Sequence, residues 1–292
     1  MSENTQNDWQ EYYVAESAGV VHWGTAGLFL LLVSFALLLN GSSWAPYGMV
    51  AGTVLTIYMM FRWFADQIRE SHQGLLSAQV DRTYRWGMGW FIFSEIMFFA
   101  AFFGALWYAR VLVMPWLAGE GAEASTHEFL YSAYEQAWPT NGPGNWGGDF
   151  ALMSWAGLPL INTLLLVTSG ITMEIAHHGL KHGKRGQLNL FLVLTVLLGV
   201  IFLGCQALEY VHAYQDMNLT LESGIYGSTF FMLTGFHGMH VLVGTIMIAV
   251  IMFRCFKGHF DEKNHFAFES AAWYWHFVDV VWFGLFIFVY IL

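Results

Sequence analysis

Long apolar runs alternate with short polar segments along the whole chain. A membrane-spanning helix needs about 20 mostly apolar residues, bordered by charge, Gly or Pro. Seven runs fit this description: Val20 to Asn40, Tyr47 to Phe64, Trp86 to Met114, Gly157 to Gly179, Leu188 to Tyr210, Tyr226 to Phe253 and Phe268 to Leu292. The pattern therefore predicts an all-α integral membrane protein with seven transmembrane helices.

The polar segments divide the chain into a tail, a helical domain and one long loop. Residues 1–19 are polar and acidic and lack a positively charged n-region, so we expect a cytoplasmic tail and not a signal peptide. Residues 20–292 form the seven-helix transmembrane domain. Within it, residues 115–150 form an outer loop without Lys or Arg, whose acidic residues include Glu120, Glu123, Glu128 and Glu135. This loop is either an acidic docking surface or an ordinary solvated loop.

Composition agrees with a membrane protein and excludes other classes. The chain is 57% hydrophobic and 11% charged, whereas soluble domains average about 25% charged residues. Its formal net charge of −10 has the wrong sign for a protein that neutralises phosphates, so nucleic acid is excluded as a main partner. Its 2 cysteines cannot form a disulfide framework or a four-cysteine metal site.

The basic residues predict how the chain crosses the membrane. Ten of the eleven Lys and Arg residues lie in or beside the connections after the second, fourth and sixth spans: Arg62, Arg69, Arg82, Arg85, Lys181, Lys184, Arg185, Arg254, Lys257 and Lys263. Seven spans place these connections on one side, the basic side, and Arg110 alone on the opposite side, the loop side. Because cytoplasmic loops are enriched in Lys and Arg, the N-terminus is predicted to be cytoplasmic and the C-terminus periplasmic.

Glu95 lies in the third span, with apolar residues for two turns on either side. An ionised carboxylate at the centre of a membrane helix costs about 2.5–3.5 kcal/mol, so we expect Glu95 to be protonated, paired, or both. Two interpretations remain open. Glu95 is a neutral acid that is hydrogen-bonded between helices, or it is a proton-linked or lipid-facing site.

Histidine and glutamate spacing suggests a di-metal site, but the topology argues against it. The Glu-x-x-His signature of di-metal helical bundles occurs twice, at Glu174/His177 and at Glu209/His212. The two pairs lie at opposite ends of neighbouring spans, so about 30 Å of bilayer separates them. Each pair is therefore interpreted as a local i,i+3 hydrogen bond. We predict no metal site in this chain.

Three histidines lie deeper in the spans, namely His237, His240 and His276. A haem with two imidazole ligands needs histidines at matched depth on facing helices, and the sequence offers no convincing pair. His276 is instead three residues before Asp279 on one face of the seventh span, so the two are predicted to form a structural polar lock. The carboxylate can accept a hydrogen bond from His276 or from the Trp275 N–H.

Polar and basic residues at the basic ends of two spans form a further candidate site. Arg69 and Glu70 end the second span, and Arg254, Lys257 and His259 follow the sixth. Such clusters are typical of lipid head-group sites, although topology signalling alone also explains basic residues here.

Four segments, in order along the chain, resemble one known family. They are Ser94-Glu95-Ile96-Met97-Phe98-Phe99; Asn162-Thr163-Leu164-Leu165-Leu166 with Ser169-Gly170 and Ala176-His177-His178; Tyr226-Gly227-Ser228-Thr229-Phe230-Phe231 with Thr234-Gly235-Phe236-His237-Gly238-Met239-His240-Val241; and Trp273-Tyr274-Trp275-His276-Phe277-Val278-Asp279-Val280-Val281-Trp282. These segments resemble the signatures of subunit III of the haem-copper cytochrome c oxidases.

The resemblance implies a V-shaped subunit, with helices 1–2 against a bundle of helices 3–7 and phospholipids in the cleft. It implies no catalytic residues, haem or copper in this chain, because the family's redox centres belong to oxidase subunits I and II. Those subunits oxidise cytochrome c, reduce dioxygen and pump protons, while subunit III supports proton uptake and turnover stability. The longer outer loop suggests a bacterial protein of the inner membrane.

Single residues also match the family's motifs. Glu95 matches the intramembrane glutamate, Arg69 and Glu70 match an Arg-Glu pair, and Arg254, Lys257 and His259 match a basic lipid-facing group. The chain departs from the family where it reads Trp63-Phe64-Ala65-Asp66 and Gly74-Leu75-Leu76-Ser77. The alternatives are a secondary transporter or proton channel that uses Glu95 as its relay, and a membrane haem protein in its own right.

Overall fold

A computed structural model describes residues 19–121, 124–262 and 264–292. Helices account for all the regular structure in these ranges, and seven are long and apolar enough to cross a membrane. The helices are α1 (Val20–Leu39), α2 (Ala45–His72), α3 (Ala78–Tyr108), α4 (Met114–Leu117), α5 (Ala124–Leu130), α6 (Leu158–Lys181), α7 (Arg185–Asp216), α8 (Gly224–Phe256) and α9 (Phe266–Leu285). The predicted seven-helix architecture is confirmed.

Two spans contain π-helical turns near the loop side. Residues Ala109–Val113 join α3 to α4, so that the third span continues to Leu117. Residues Phe286–Ile291 continue α9 almost to the end of the chain. In a π turn the backbone hydrogen bond reaches from i to i+5, and such turns frequently occur at functional sites.

The second and third spans form longer helices than their apolar runs predict. The runs are Tyr47 to Phe64 and Trp86 to Met114, whereas α2 ends at His72 and α3 begins at Ala78. An apolar run marks only the part of a helix that lies in lipid, because a helix satisfies its own backbone hydrogen bonds and can continue into water. The connection between these helices therefore shortens to residues 73–77.

The chain forms two compact units, one ending at Trp86 and the other comprising Gly87–Leu292. In the first unit, α1 and α2 pack with their backbones in close approach. A Cβ atom added to Gly52 would lie 2.8 Å from the Leu31 backbone N and 2.9 Å from the Gly27 carbonyl oxygen. Small residues at such contacts are a common means of packing membrane helices.

The second unit has an extensive core between α6, α7, α8 and α9. Trp275 lies at its centre between two glycines: a Cβ atom would lie 3.0 Å from the indole ring if added to Gly199 of α7, and 2.8 Å if added to Gly244 of α8. The Trp275 indole N–H donates a hydrogen bond to Ser169 Oγ at 3.0 Å. The indole therefore contacts three other helices of the core.

The later part of the outer loop packs on the loop-side ends of α7 and α8. Phe150 stacks on Tyr226 with 5.6 Å between ring centroids, and Trp138 meets the same ring edge-on at 5.8 Å. The Asn218 side-chain amide donates hydrogen bonds to the carbonyl oxygens of Gly147, at 3.1 Å, and Asp149, at 2.9 Å. Residues 138–150 are therefore held against the helical bundle by ring contacts and hydrogen bonds.

The acidic side chains of the loop remain accessible. Glu120, Glu128 and Glu135 are exposed, and Glu123 lies outside the described residues. A docking role for this acidic surface stays a prediction.

Candidate functional site

Glu95 and His240 form a hydrogen-bonded pair deep between α3 and α8. Glu95 Oε2 lies 2.9 Å from His240 Nε2, and the two residues are 145 positions apart in the sequence. Only 6% of the His240 side chain and 22% of the Glu95 side chain are exposed. We expected Glu95 to be protonated, paired, or both, and its hydrogen-bond partner is the imidazole of His240.

The surroundings of His240 determine where the protons of the pair can lie. His240 Nδ1 is 2.6 Å from the carbonyl oxygen of Phe236, one helical turn earlier. Because a carbonyl oxygen can only accept, Nδ1 carries a proton. Nε2 then either accepts a proton from neutral Glu95 or, as an imidazolium, donates one to the Glu95 carboxylate. Both forms have zero net charge, which reduces the cost of placing the pair in a membrane.

Aromatic rings surround the imidazole. The ring centroid of His240 lies 5.0 Å from that of Phe99, 6.1 Å from Phe98, and 6.3 Å from each of Tyr274 and Phe277. These rings come from α3 and α9, so three helices hold the imidazole in place. The arrangement can hold or shift one proton along a single, fixed hydrogen bond.

A second polar group lies between α6 and α9. His276 Nε2 is 2.9 Å from Glu174 Oε1, while its Nδ1 is 3.7 Å from Asp279 Oδ2. The structure thus brings His276 and Asp279 together, with Glu174 as a further partner that the sequence did not indicate. The Trp275 N–H donates to Ser169 and not to Asp279. The role of His276 and Asp279 as a structural lock stays a prediction.

The predicted local Glu–His hydrogen bonds are wrong for both Glu-x-x-His segments. Glu174 bonds to His276 and not to His177. Glu209 is fully buried and accepts a hydrogen bond from Tyr290, while His212 bonds to Asp216. In both segments the glutamate is oriented toward another helix, where it finds a partner across the bundle.

Arg69 and Glu70 belong to a polar network at the basic end of α2. Arg69 forms an exposed ion pair of 3.3 Å with Asp66, one turn earlier, and not with Glu70. Glu70 accepts a hydrogen bond of 3.2 Å from the Gln67 amide, whose oxygen in turn accepts one of 2.8 Å from the Tyr84 hydroxyl at the start of α3. The network therefore joins α2 to α3 and leaves the Arg69 guanidinium accessible.

The basic residues after α8 gather around Phe260. The Arg254 guanidinium lies 4.4 Å from the centroid of the Phe260 ring, and the backbone N–H of His259 donates to the Arg254 carbonyl at 3.0 Å. Arg185 donates a hydrogen bond to the Phe260 carbonyl oxygen. Lys257 is exposed at the end of the helix. We refer to Arg185, Arg254, Lys257 and His259 as the cationic surface; Asp261 and Glu262 lie beside it and line a hollow together with Arg185.

Three donor atoms converge at the basic ends of α6 and α9. Nitrogen atoms of His177 and His265 and a carboxylate oxygen of Glu269 lie within 4.8 Å of one another. His265 Nδ1 donates to the Asp261 carbonyl oxygen at 3.1 Å, so its Nε2 faces Glu269 at 3.3 Å. The cluster can form an imidazolium–carboxylate ion pair or could hold a divalent cation.

His237 is fully buried in the core of the second unit. Its Nε2 donates a hydrogen bond to the Val278 carbonyl oxygen at 3.1 Å, and its ring packs against Trp282 and Phe202 at 5.0 Å and 5.8 Å. With His240 bonded to Glu95, each of these deep imidazoles holds a protein partner. Haem ligation by either Nε2 would require breaking these contacts.

Seven apolar helices with paired polar groups inside them define a polytopic helical membrane protein. The family model described as cytochrome c oxidase subunit III matches residues 10–120 and 138–292, so the chain belongs to the cytochrome c oxidase subunit III family. The unmatched residues between these two segments lie in the outer loop.

Named relatives agree with this family. The chain is 41% identical to cytochrome c oxidase subunit 3 of Gadus morhua over 243 residues, which cover 83% of this chain and 82% of the relative. Identity to the Prototheca wickerhamii protein of the same name is 41% over 270 residues, or 89% and 92% of the two chains. Identity to the Mus musculus protein is 37% over 274 residues, or 92% and 93%.

Proposed function

We propose that this chain is the non-catalytic subunit III of a proton-pumping cytochrome c oxidase in the respiratory chain of a bacterial inner membrane. Its partners are oxidase subunits I and II, which hold haem and copper and accept electrons from cytochrome c. The family match over most of the chain supports this assignment and gives no support to a secondary transporter. The Lys and Arg distribution supports a cytoplasmic N-terminus and a periplasmic C-terminus.

The pairing of Glu95 with His240 carries the proposal that the subunit supports proton uptake. Glu95 Oε2 and His240 Nε2 are joined by a single hydrogen bond of 2.9 Å. A proton therefore has two positions within the pair, and neither position creates a net charge in the membrane. The contact joins α3 to α8 through an acid, Glu95, and a base, His240. This arrangement suits an auxiliary group that influences proton uptake by the neighbouring oxidase subunits.

The cationic surface around Phe260 supports the proposal of phospholipid binding. Arg254, Lys257 and His259 can attract a phosphate group through charge-assisted hydrogen bonds, while the Phe260 ring holds the Arg254 guanidinium in place. The exposed Arg69, next to Glu70, offers a second cation in the first unit. Basic groups at the ends of membrane helices are typical binding sites for anionic lipid head groups.

Glu95→Gln tests the auxiliary role. This change keeps the size and the hydrogen bond to His240 but removes the titrating group. Oxidase complexes with Glu95→Gln should assemble, retain their haems and keep most oxygen consumption and proton ejection in sealed vesicles. Glu128→Gln, which changes an exposed acid of the outer loop in the same unit, is the control. Complete loss of both activities in an intact Glu95→Gln complex would favour an obligatory proton conduit.

The cationic sites can be tested by counting bound lipids. We expect Arg69→Ala and Arg254→Ala complexes to lose tightly bound phospholipid in mass spectra of the purified oxidase, because each loses a charge-assisted bond. Arg85→Ala is the control: Arg85 is bound to Asp81 at 2.8 Å and its side chain is 37% exposed, whereas the side chain of Arg69, although it pairs with Asp66, is 67% exposed. Unchanged lipid in both test variants would leave topology as the role of these arginines.

The assignment of haem to subunits I and II has a separate test. One haem bound per isolated chain would contradict this assignment.

A further inference from the structure

Two imidazoles and a carboxylate meet where α6 ends and α9 begins. His177 lies one turn before the end of α6, and His265 and Glu269 are one turn apart at the start of α9. The side chains of His177, His265 and Glu269 are 12%, 8% and 15% exposed, respectively. Two ligands one turn apart on a helix, completed by a third from another segment, recur in zinc sites.

The backbone determines which nitrogen of His265 carries a proton. Its Nδ1 lies 3.1 Å from the Asp261 carbonyl oxygen, which can only accept, so Nδ1 is protonated. A neutral His265 then presents the lone pair of Nε2 to Glu269 Oε1 at 3.3 Å. Metal-ligating histidines almost always donate their other ring N–H to a carbonyl, a carboxylate or water. The contact with Asp261 therefore orients Nε2 as a ligand.

The Nε2 atoms of His177 and His265 are both buried, and neither forms a hydrogen bond with any residue that the structure describes. A proton on His265 Nε2 would bond only weakly to Glu269, because charge-assisted N–H···O bonds are usually about 2.7–2.9 Å long. It would also leave His177 Nε2, which is 3.9 Å from the same oxygen, without a partner. A single metal cation between the three donor atoms satisfies all of them.

The separations of the donor atoms suit a small cation. Bonds of about 2.05 Å to a tetrahedral zinc ion place neighbouring ligand atoms about 3.3 Å apart. His265 Nε2 and Glu269 Oε1 already have this spacing, and all three donor atoms lie within 4.8 Å of one another. Side-chain movements of about 1.5 Å or less therefore complete the site. Imidazole ligands favour Zn²⁺, whereas Mg²⁺ and Ca²⁺ prefer oxygen ligands alone.

We propose that His177, His265 and Glu269 bind one Zn²⁺ ion on the basic side of the membrane, with water as the fourth ligand. The ion fastens the first turn of α9 to the end of α6. Two neutral imidazoles and one carboxylate leave the occupied site with one net positive charge. Lys181, one turn after His177, is exposed to solvent, which screens its repulsion of the ion.

The zinc site departs from the sequence-based prediction that this chain binds no metal. That prediction weighed the two Glu-x-x-His segments. His177 belongs to one of them, but its partners come from the start of α9 and not from Glu174. The site depends on the contact between α6 and α9 and not on the proposed roles of Glu95 or of the cationic surface.

Zinc counting in the purified oxidase complex tests the site. Complexes are dialysed against EDTA and equilibrated with micromolar free Zn²⁺, and elemental analysis gives the zinc bound per complex. His265→Gln and Glu269→Gln should each bind one ion fewer than the unaltered complex, because each lacks one of the three ligands. Glu262→Gln is the matched control, since it removes the same charge but Glu262 lines a separate hollow with Arg185. Equal zinc in all complexes, or an equal loss in Glu262→Gln, would overturn the site.

A second measurement needs no variant. Crystals of the unaltered, zinc-equilibrated complex are measured by X-ray diffraction on both sides of the zinc absorption edge. An anomalous peak is expected between the Nε2 atoms of His177 and His265. The same donor set also binds Fe²⁺ in some oxygenases, so a peak here at the iron edge instead would contradict zinc. An ion pair without metal gives no peak at either edge, and this result would overturn the proposal.

Discussion

His240 bonds to Glu95 through Nε2 and to the Phe236 carbonyl through Nδ1, so one imidazole connects a carboxyl group of α3 to the backbone of α8. The second of these contacts fixes the tautomer and leaves one proton to be shared with Glu95. The pair therefore acts as one chemical group, and the effect on stability of substituting one residue should depend on whether the other is present.

A double-mutant cycle tests this coupling. His240→Phe leaves the Glu95 carboxyl without its partner at bilayer depth, so the complex should lose about 1–3 kcal/mol of stability, more than it loses with Glu95→Gln. The cycle is closed with Glu95→Leu alone and with His240→Phe combined with Glu95→Leu; the double variant should recover part of the loss, because no unpaired polar group remains. Thermal denaturation of the purified complex measures the effect. Strictly additive losses would show that the two side chains act independently.

The hydrogen bond from the Trp282 indole to Thr163 provides a test of packing in the core of the second unit. Its N–H donates to Thr163 Oγ1 at 2.9 Å, and both residues are buried. Thr163→Val keeps the shape but removes the acceptor, so we expect a loss of about 1–2 kcal/mol. Thr168→Val is the control, because Thr168 is exposed and bonds only within its own helix, to the Leu164 carbonyl at 2.7 Å. Equal shifts in melting temperature would contradict a special role for the Trp282 bond.

The close approach of α1 and α2 should make Gly52 intolerant of a side chain. In Gly52→Ala the new methyl group would meet backbone atoms of Leu31 and Gly27 that cannot rotate away, so the helices must separate. We expect faster hydrogen–deuterium exchange in peptides from both helices. Gly87→Ala is the control, since an added Cβ there has no atom within 4 Å and the change favours a helix by about 0.5–1 kcal/mol. Unaltered exchange in Gly52→Ala would refute the packing argument.

Asn218 should control how firmly the outer loop is held. Its backbone φ of 51° suits glycine, so Asn218→Gly preserves the turn while it removes two hydrogen bonds to the loop. With each bond worth about 0.5–1.5 kcal/mol, local opening should become roughly tenfold more frequent. Limited proteolysis of residues 138–151 provides the measurement. Asn218→Asp, which removes the same donors, should behave alike, and resistance to protease in both variants would argue against this anchor.

The spans were predictable from sequence because each depends on one continuous apolar run, whereas the side-chain partners depend on distant residues. The cost of an isolated carboxylate predicted that Glu95 is protonated, paired, or both, but did not identify a partner. Matched depth offered a usable signal: Glu95 lies 17 residues after the start of α3, and His240 lies 16 residues before the end of α8. Neighbouring Glu and His residues at i,i+3 misled the prediction because spacing alone does not show that Glu174 points toward α9.

The position of Trp275 between Gly199 and Gly244 has a consequence for the divergence of this protein. The indole occupies the space that a methyl group at either glycine would need, so the three positions share one fixed volume. Enlarging a glycine while the indole stays in place creates a steric clash, and replacing the indole alone creates a void. Change at any of these positions must therefore be accompanied by change at another, and divergent relatives should show correlated substitutions at Gly199, Gly244 and Trp275.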